Sequence, residues 1–229
     1  MTVDYDIIVK GNNLRLKDGF LGLANATLVF SADGPLLFDV GHQVNRPALL
    51  AGLKRHGMTP QDVRAVFLSH LHFDHCYNID LFPQAKVHVS RREWDYAAHP
   101  HADDPFVPWL IREQLRKHDL ELLDGEGRIG AGIEAIAVPG HTPGSYGLVL
   151  DTGAKGRVVL AGDAIKYAKE ALTRRCDMAF DTLEAGSASI ARILELAERI
   201  VPGHFPELIR QEDGGFIWNE AAEFALLVR

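Results

Sequence analysis

The chain has few cysteines, no long apolar run and no excess of basic residues, and each shortage argues against a class of protein. Its 229 residues include two cysteines, Cys76 and Cys176, which are too few for a disulfide framework. No apolar run reaches the ~20 residues that a membrane helix needs, so no membrane association is expected. The formal net charge is −7 with no basic stripe, so nucleic acid is not an expected partner.

The remaining composition fits a globular protein of the cytoplasm. A hydrophobic content of 47% is enough to build a substantial core, and we expect a single domain over residues 1–229. Residues 1–6 are acidic and do not resemble a secretory leader. We therefore expect a reduced, cytoplasmic setting.

Histidine is plentiful, and one short segment holds four potential metal ligands. His70, His72, Asp74 and His75 follow the apolar run 65–68. Alternate side chains of an extended chain point the same way, so positions 70, 72 and 74 should share one face and position 75 the other. Imidazole and carboxylate groups are ligands for zinc and, less exclusively, for iron or manganese. A metal site explains this pattern better than a polar loop rich in histidine.

Three further candidates share one layout, in which a strand-like apolar run ends in glycine and a ligand-type side chain follows. Glycine lets the backbone approach a crowded site closely. Strands of layered α/β proteins commonly deliver functional groups at their carboxyl ends. We therefore expect one site built from four distant segments, the last three of which contribute His141, Asp163 and His204.

Hydrophobic spacing predicts both strands and helices in each half of the chain. Short apolar segments predict strands over 5–10, 27–30, 36–38, 65–69, 120–123, 133–138, 147–150 and 158–161. Helical spacing predicts helices over 46–56, 90–98, 107–117, 182–198 and 217–228, with Asn45 and Asp181 as N-caps of the first and fourth. This order indicates an α/β (α+β) protein with two β-sheets face to face and helices on both outer sides.

Residues 90–118 read as a helical insertion of different character. Two predicted helices flank the polar segment 99–105. Phe106 and Trp109 either form a lid over a pocket or seal the insertion onto the core, and the second interpretation is favoured.

Five short motifs, in this order, resemble those of the metallo-β-lactamase-fold hydrolase superfamily over nearly the whole chain. They are Leu37-Phe38-Asp39-Val40-Gly41, the His70-to-His75 segment, the stretch from Pro139 to Ser145, Gly162-Asp163 and Pro202-Gly203-His204. The resemblance implies a four-layer αββα sandwich with a dinuclear site, filled by two Zn²⁺ ions or, alternatively, by Fe or Mn. It implies that His70, His72 and His141 hold one metal, Asp74, His75 and His204 hold the other, Asp163 bridges them and Asp39 lies behind the ligands.

Paired metals imply hydrolysis. Two divalent cations outweigh the charge of two aspartates and one hydroxide, and the remaining positive charge suits a substrate whose carbonyl oxygen becomes negative. We expect the hydroxide to attack a lactone or ester carbonyl, with Asp74, Asp163 and Tyr167 as catalytic residues.

Within the superfamily, the segment from Ser69 to His75, the compact size and the helical insertion look most like N-acyl-homoserine lactonases. Those enzymes carry a tyrosine just after the bridging aspartate. Tyr167 lies one residue further from Asp163 than that pattern requires, so a packing role stays equally open. The substrate is expected to be a small molecule, and a homodimer is plausible. The apolar residues expected around the pocket are Phe20, Leu21, Leu23, Trp109 and Phe205.

Other branches of the superfamily fit less well. Asp163 argues against the zinc β-lactamases and His72 against the flavodiiron proteins, while Cys76-Tyr77-Asn78 puts a glyoxalase II substrate in doubt. A mononuclear iron persulfide dioxygenase and a phosphodiesterase or nuclease of the same fold stay open. The residues that could serve a nuclease, or form a solvated charged loop, are Lys166, Lys169, Arg174 and Arg175.

Overall fold

Apolar runs form strands and amphipathic runs form helices over residues 2–220, the part of the chain that this computed structural model describes. The strands are β1 (Asp4–Val9), β2 (Arg15–Leu16), β3 (Gly19–Phe20), β4 (Ala26–Ser31), β5 (Gly34–Phe38), β6 (Ala65–Phe67), β7 (Lys86–Ser90), β8 (Asp119–Leu123), β9 (Gly127–Gly130), β10 (Ile133–Ala137), β11 (Tyr146–Asp151), β12 (Arg157–Gly162), β13 (Arg199–Pro202), β14 (Leu208–Arg210) and β15 (Phe216–Ile217). The α-helices are α1 (Arg46–Arg55), α2 (Phe73–Cys76), α3 (Arg91–Tyr96), α4 (Ile111–Leu115), α5 (Ala168–Thr173) and α6 (Leu183–Leu196).

The strands form two mixed sheets and a small hairpin. The first sheet has the order β1-β4-β5-β6-β7-β8, antiparallel from β1 to β5 and parallel from β5 to β8. The second has the order β15-β14-β13-β12-β11-β10-β9 and is antiparallel except between β12 and β13. The hairpin joins β2 to β3.

Alternation along the strands divides the core into three layers, because neighbouring side chains of a strand point to opposite faces. In β4, Leu28 packs with α1, whereas Val29 packs between the two sheets. In β12, Leu160 lies between the sheets, whereas Val159 packs against α6. The helices therefore cover both outer faces, and the predicted four-layer αββα sandwich is confirmed.

The first and last of the α-helices are shorter than predicted. Helix α1 ends one residue early, at Arg55, and Asn45 occupies its N-cap position without capping it, since the Asn45 side chain accepts a hydrogen bond from the His42 backbone instead. Helix α6 is capped by the Thr182 hydroxyl, which accepts from the Ala185 backbone N–H, so the prediction of Asp181 as its cap was wrong.

Two predicted helices are reduced further. The helix predicted over 107–117 is confined to α4. Residues 109 and 110 form a turn before it, and Pro108 disfavours helical backbone at the residue that precedes it. The helix predicted over 217–228 was wrong at its start. Ile217 belongs to β15, which pairs with β14 through a turn containing Gly214. Residues 221–228 of that prediction lie outside the described part of the chain.

Several strands escaped the sequence analysis, namely β2, β3, β7, β9, β14 and β15. Most are short or lie at sheet edges, where little alternating apolar character is needed. Within residues 2–220, none of the helices combines the length and the apolar character needed to span a bilayer.

Candidate metal centre

The first ligand segment changes from extended chain to helix in its middle. His72 is extended, with φ −74° and ψ 152°, and α2 begins at the next residue. Alternation had predicted that Asp74 shares one face with His70 and His72, but the start of the helix moves it off that face. It lies one helical residue before His75, and these two side chains turn together toward another part of the site.

The four distant segments meet. Three groups of side chains bring one potential ligand atom from each member to within 4.8 Å of the others, and all of their members are buried. The groups are His70, His72 and His141; His70, His75 and Asp163; and Asp74, His75 and His204.

Asp163 stands between the first and third of these groups. Its Oδ2 lies 3.3 Å from His141 Nε2, and its Oδ1 lies 3.2 Å from both His75 Nε2 and His204 Nε2. One carboxylate thus faces ligand-type nitrogens on both sides.

Each histidine of the centre is held by a hydrogen-bond partner at its far ring nitrogen. Such outer partners fix the orientation of metal-binding imidazoles. The pairs are His70 Nδ1 with Ser69 Oγ (2.9 Å), His72 Nε2 with Asp104 Oδ2 (3.0 Å), His75 Nδ1 with Asp39 Oδ2 (2.7 Å), His141 Nδ1 with the Met178 carbonyl (3.4 Å), and His204 Nδ1 with the Asn12 and Leu23 carbonyls (3.0 Å each).

Asp104 was not among the predicted site residues. It lies in the polar segment 99–105, and nothing in the spacing of that segment connects it with His72, 32 residues earlier. Its buried carboxylate also accepts a hydrogen bond from the Tyr96 hydroxyl at 2.6 Å. Burial alone would raise the pKa of Asp104, but the hydrogen bonds from His72 and Tyr96 lower it overall.

Asp39, which the resemblance places behind the ligands, contacts His75 of the candidate centre. Its carboxylate accepts from the Ser69 backbone N–H, from the Ser69 hydroxyl and from His75, at 2.7–2.8 Å. The backbone at Asp39 is left-handed, with φ 58°, a conformation that is uncommon for residues other than glycine. Burial raises the pKa of this carboxyl, and the neighbouring His75 opposes the rise.

Glycine permits the close approach of the last two motifs. A Cβ added to Gly203 would lie 2.1 Å from Oδ1 of Asp163. Gly162 adopts φ 51°, and a Cβ there would lie 2.8 Å from the side chain of Ser69. A side chain at either position would displace the groups that form the centre.

The electrostatic environment separates the histidines into two kinds. Burial lowers the pKa of His70 and of His141 well below the ordinary value, which keeps their imidazoles neutral. Burial also opposes charge on His75 and His204, but Asp163 and Asp74 raise the pKa of both. Burial likewise opposes charge on Asp163, yet His204, His75 and His141 hold the pKa of this carboxyl well below its usual range.

The donor atoms fit a bound cation. His70 Nε2, His75 Nε2 and Asp163 Oδ1 are buried and make no well-formed hydrogen bond within residues 2–220. Buried polar atoms are otherwise almost always satisfied. Nitrogen and carboxylate oxygen that converge without a partner are what a divalent metal requires, and the set of ligands suits zinc.

A cavity of about 280 Å³ opens onto this centre. Five of the buried site residues form its floor, and the wall contains Phe20, Phe73 and Phe106, whose ring centroids lie 6.0–6.3 Å apart. The remaining wall residues are Asn13, Arg15, Lys166, Tyr167, Asp177 and Met178.

Of the five apolar residues predicted to line the cavity, one does so. Phe20 lines the cavity, whereas Leu21, Leu23, Trp109 and Phe205 do not. Trp109 is 95% exposed, so it neither lines the pocket nor seals residues 90–118 onto the core. Phe106 does reach the cavity. Its backbone N–H donates a hydrogen bond to the Asp104 carboxylate, which fixes the loop between these two residues.

Tyr167 faces the cavity, and its hydroxyl donates a hydrogen bond to Asp177. Lys166 is 6% exposed and donates to the Glu170 carboxylate at 2.5 Å, with Asp177 3.4 Å away. Lys169 lies 3.6 Å from the same aspartate. These lysines are therefore paired, and the alternative of a solvated charged loop was wrong for Lys166.

The sequence agrees with one family over most of its length. The model of the metallo-beta-lactamase superfamily matches residues 19–204. The chain belongs to this superfamily. Its fold is that of a metallo-hydrolase, and its groups of histidine and aspartate are able to bind metal.

Similar proteins include lactonases. An N-acyl homoserine lactonase from Bacillus sp is 29% identical over 217 residues, which cover 84% of each chain. The metallo-beta-lactamase domain-containing protein 1 of Xenopus laevis is 33% identical over 202 residues, which cover 86% of the present chain and 74% of the Xenopus protein. A solved structure described as a dizinc quorum-quenching lactonase, AidC, shares the fold, with a TM-score of 0.69, 21% identity and coverage of 91% of this chain and 83% of that one.

Proposed function

We propose that the protein is a dinuclear zinc hydrolase that opens a lactone or cleaves a similar ester. The observation that carries the proposal is the convergence of seven buried ligand-type side chains, five of which form the floor of one cavity. Buried nitrogen and oxygen atoms between them have no hydrogen-bond partner within residues 2–220. The lactonase relative from Bacillus sp supports the choice of a lactone, and the dizinc description of AidC supports the choice of metal.

The two metals would be held by separate triads with a shared carboxylate. His70, His72 and His141 would hold one, and Asp74, His75 and His204 the other. Asp163 would bridge them, because its two oxygens face nitrogens of both triads. When bound, paired divalent ions supply a water whose pKa is lowered toward roughly 7 and stabilise negative charge on a carbonyl oxygen.

The protein itself orients these groups and restricts water. The outer hydrogen bonds of the five histidines hold each imidazole in one ring position, so that only the nitrogen facing the centre is available. Phe20, Phe73 and Phe106 form an apolar wall beside the polar floor, which suits the hydrocarbon part of an acyl substrate.

Tyr167 is the residue that we propose to act on the leaving group. Burial and the Asp177 carboxylate raise the pKa of its phenol, so the hydroxyl keeps its proton at neutral pH. A substrate in the cavity would compete with Asp177 for this O–H. The phenol could then donate to the ester oxygen as the carbon–oxygen bond breaks.

Metal analysis combined with a substrate screen tests the proposal. Two zinc ions per chain and hydrolysis of lactones, with loss of activity on chelation and recovery on adding zinc, are the expected results. His70→Ala and Asp163→Ala should each lower kcat/KM by orders of magnitude. One iron per chain would instead favour a persulfide dioxygenase, cleavage of phosphodiesters without lactones would favour a nuclease, and full activity in metal-free protein would contradict any metal-dependent mechanism.

A further inference from the structure

One cation of the cavity wall has no carboxylate partner among residues 2–220. Arg15 belongs to strand β2 of the hairpin that also carries Phe20. Both residues line the cavity above the metal centre, together with Asn13. Within residues 2–220, no carboxylate oxygen lies within the 4.0 Å of the Arg15 guanidinium that defines an ion pair.

The other cation of the wall is already neutralised. Lys166 is buried against the two carboxylates of Glu170 and Asp177. The exposed Lys169 lies 3.6 Å from Asp177 and supplies the second positive charge, and Asp177 also receives the Tyr167 hydroxyl. Because these charges compensate one another locally, Arg15 supplies the net charge of the wall. A positive wall in a chain with a net charge of −7 is a local feature that attracts anions into this cavity.

The position of Arg15 leaves its donors available. Its guanidinium lies 5.7 Å from the centroid of the Phe20 ring, an arrangement that supports the cation from one side. A guanidinium held in this way can still present a planar pair of N–H groups to an oxyanion. Tyr167 lines the same cavity, and the charge of Arg15 lowers the pKa of its phenol against the larger effects of burial and Asp177.

We propose that Arg15 selects substrates that carry a carboxylate on the acyl part, away from the bond that is hydrolysed. The inference rests on the proposed hydrolase function and narrows its substrate class from neutral lactones and esters to acidic ones. The scissile carbonyl would occupy the floor of the cavity, the hydrocarbon would lie against the phenylalanine wall, and the distal carboxylate would reach Arg15 at the hairpin.

A matched pair of esters tests this assignment. Mono-4-nitrophenyl adipate carries a free carboxylate, and its methyl-capped form has the same chain without the charge. We expect the wild-type, zinc-loaded protein to prefer the acid by about tenfold in kcat/KM, the scale of one charge-assisted hydrogen bond at a partly exposed site. Arg15→Met should abolish the preference and Arg15→Lys should keep part of it.

Lys17→Met is the control. Lys17 lies in the turn of the same hairpin, and its replacement removes the same charge without touching the cavity lining. It should leave the preference within about twofold of the wild type. Raising the salt concentration should weaken the preference of the wild type, because exposed charges are screened over roughly 10 Å at 0.1 M salt. An equal loss of preference in Arg15→Met and Lys17→Met, or no preference in the wild type, overturns the assignment.

A binding measurement separates this proposal from the proposed function. The mono-4-nitroanilide of adipate presents the same carboxylate on an amide, which is far harder to hydrolyse. By calorimetry, we expect it to bind Arg15→Met about tenfold more weakly than wild type or Lys17→Met. Equal affinities for the three proteins would reject the role of Arg15 even if esters are cleaved. The expected difference in affinity would retain that role even if no ester is cleaved.

Discussion

A single hydrogen bond joins His72 to Asp104, with Nε2 of the imidazole 3.0 Å from Oδ2 of the carboxylate. This contact connects the floor of the cavity to the segment between α3 and α4. Since the other ring nitrogen of His72 faces His141 at 3.0 Å, the aspartate determines which nitrogen is offered to a metal.

Removal of this carboxylate should weaken metal binding. We expect Asp104→Ala to lower the affinity for zinc by roughly 10- to 100-fold, and Asp104→Asn, which keeps an acceptor oxygen, to lower it less. Titration against a competing chelator measures the affinity. The neighbouring Asp103, whose side chain is 89% exposed, provides the control variant Asp103→Ala. Equal affinities in Asp104→Ala and Asp103→Ala would show that the hydrogen bond does not orient a ligand.

Gly203→Ala should damage the centre without removing any ligand. The added methyl group would lie 2.1 Å from Oδ1 of Asp163, so this carboxylate or the backbone must shift. We expect kcat/KM to fall by roughly a hundredfold, the scale of a misplacement of about 1 Å in a catalytic site. Gly125→Ala is the control, because no atom of the described residues lies within 4 Å of its added Cβ. Wild-type kinetics in Gly203→Ala would show that the centre tolerates this displacement.

Tyr167→Phe should separate chemistry from metal binding. Loss of a single hydrogen-bond donor to the reacting oxygens typically costs on the order of a hundredfold in kcat. We expect such a fall with an unchanged zinc content, because Tyr167 is absent from the three ligand groups. Tyr77→Phe alters a phenol outside this cavity lining and should behave as wild type. An unchanged kcat in Tyr167→Phe would assign the residue to packing.

His88 should make the fold sensitive to mild acid independently of the metal centre. Burial lowers the pKa of this imidazole, and Lys86 lowers it further, against the attraction of Glu121 at 3.2 Å and of Asp119. Below the ordinary pKa of about 6.5, the unfolded chain therefore binds more protons at this residue than the folded protein does. Its contribution to stability is lost as the pH falls from that value toward the lowered pKa of the folded state.

Unfolding of the wild type and of His88→Gln, both saturated with zinc, measures this effect. The stability advantage of the wild type over the variant should be largest near pH 7.5 and should shrink as the pH decreases through 6.5. His99→Gln, which removes an exposed imidazole, controls for the change in composition. Parallel stability curves for the wild type and His88→Gln between pH 5.5 and 7.5 would contradict the prediction.

The sequence was sufficient for the fold, and for the meeting of the seven ligand-type side chains, where local chemistry carried the information. The strands β4, β5 and β12 were predictable because apolar side chains continue on both of their faces, as strands covered by a helix layer and a second sheet require. The seven ligand-type residues were recognisable because they occur in short motifs of a defined order, each motif following an apolar run.

Contacts between distant segments that leave no motif in the sequence were not predictable. Asp104 lies in a polar loop with no periodic signal, and only the folded chain brings it to His72. The cavity wall was largely misjudged for the same reason. Phe73 sits inside the ligand motif, where the pattern draws attention to its neighbours, and it faces the cavity because α2 begins at that residue.

The imidazole of His204 joins the loop after β13 to the amino-terminal segment of the chain. Its Nδ1 lies 3.0 Å from the carbonyls of both Asn12 and Leu23, which also pair with each other through their backbone N–H groups. The hairpin of β2 and β3 lies between these two residues and carries Arg15 and Phe20, so both ends of this cavity wall are hydrogen-bonded to a ligand-type residue. A tag or fusion that displaces this hairpin would also displace the imidazole of His204. Engineered variants of the amino-terminal segment should therefore keep the two hydrogen bonds to His204.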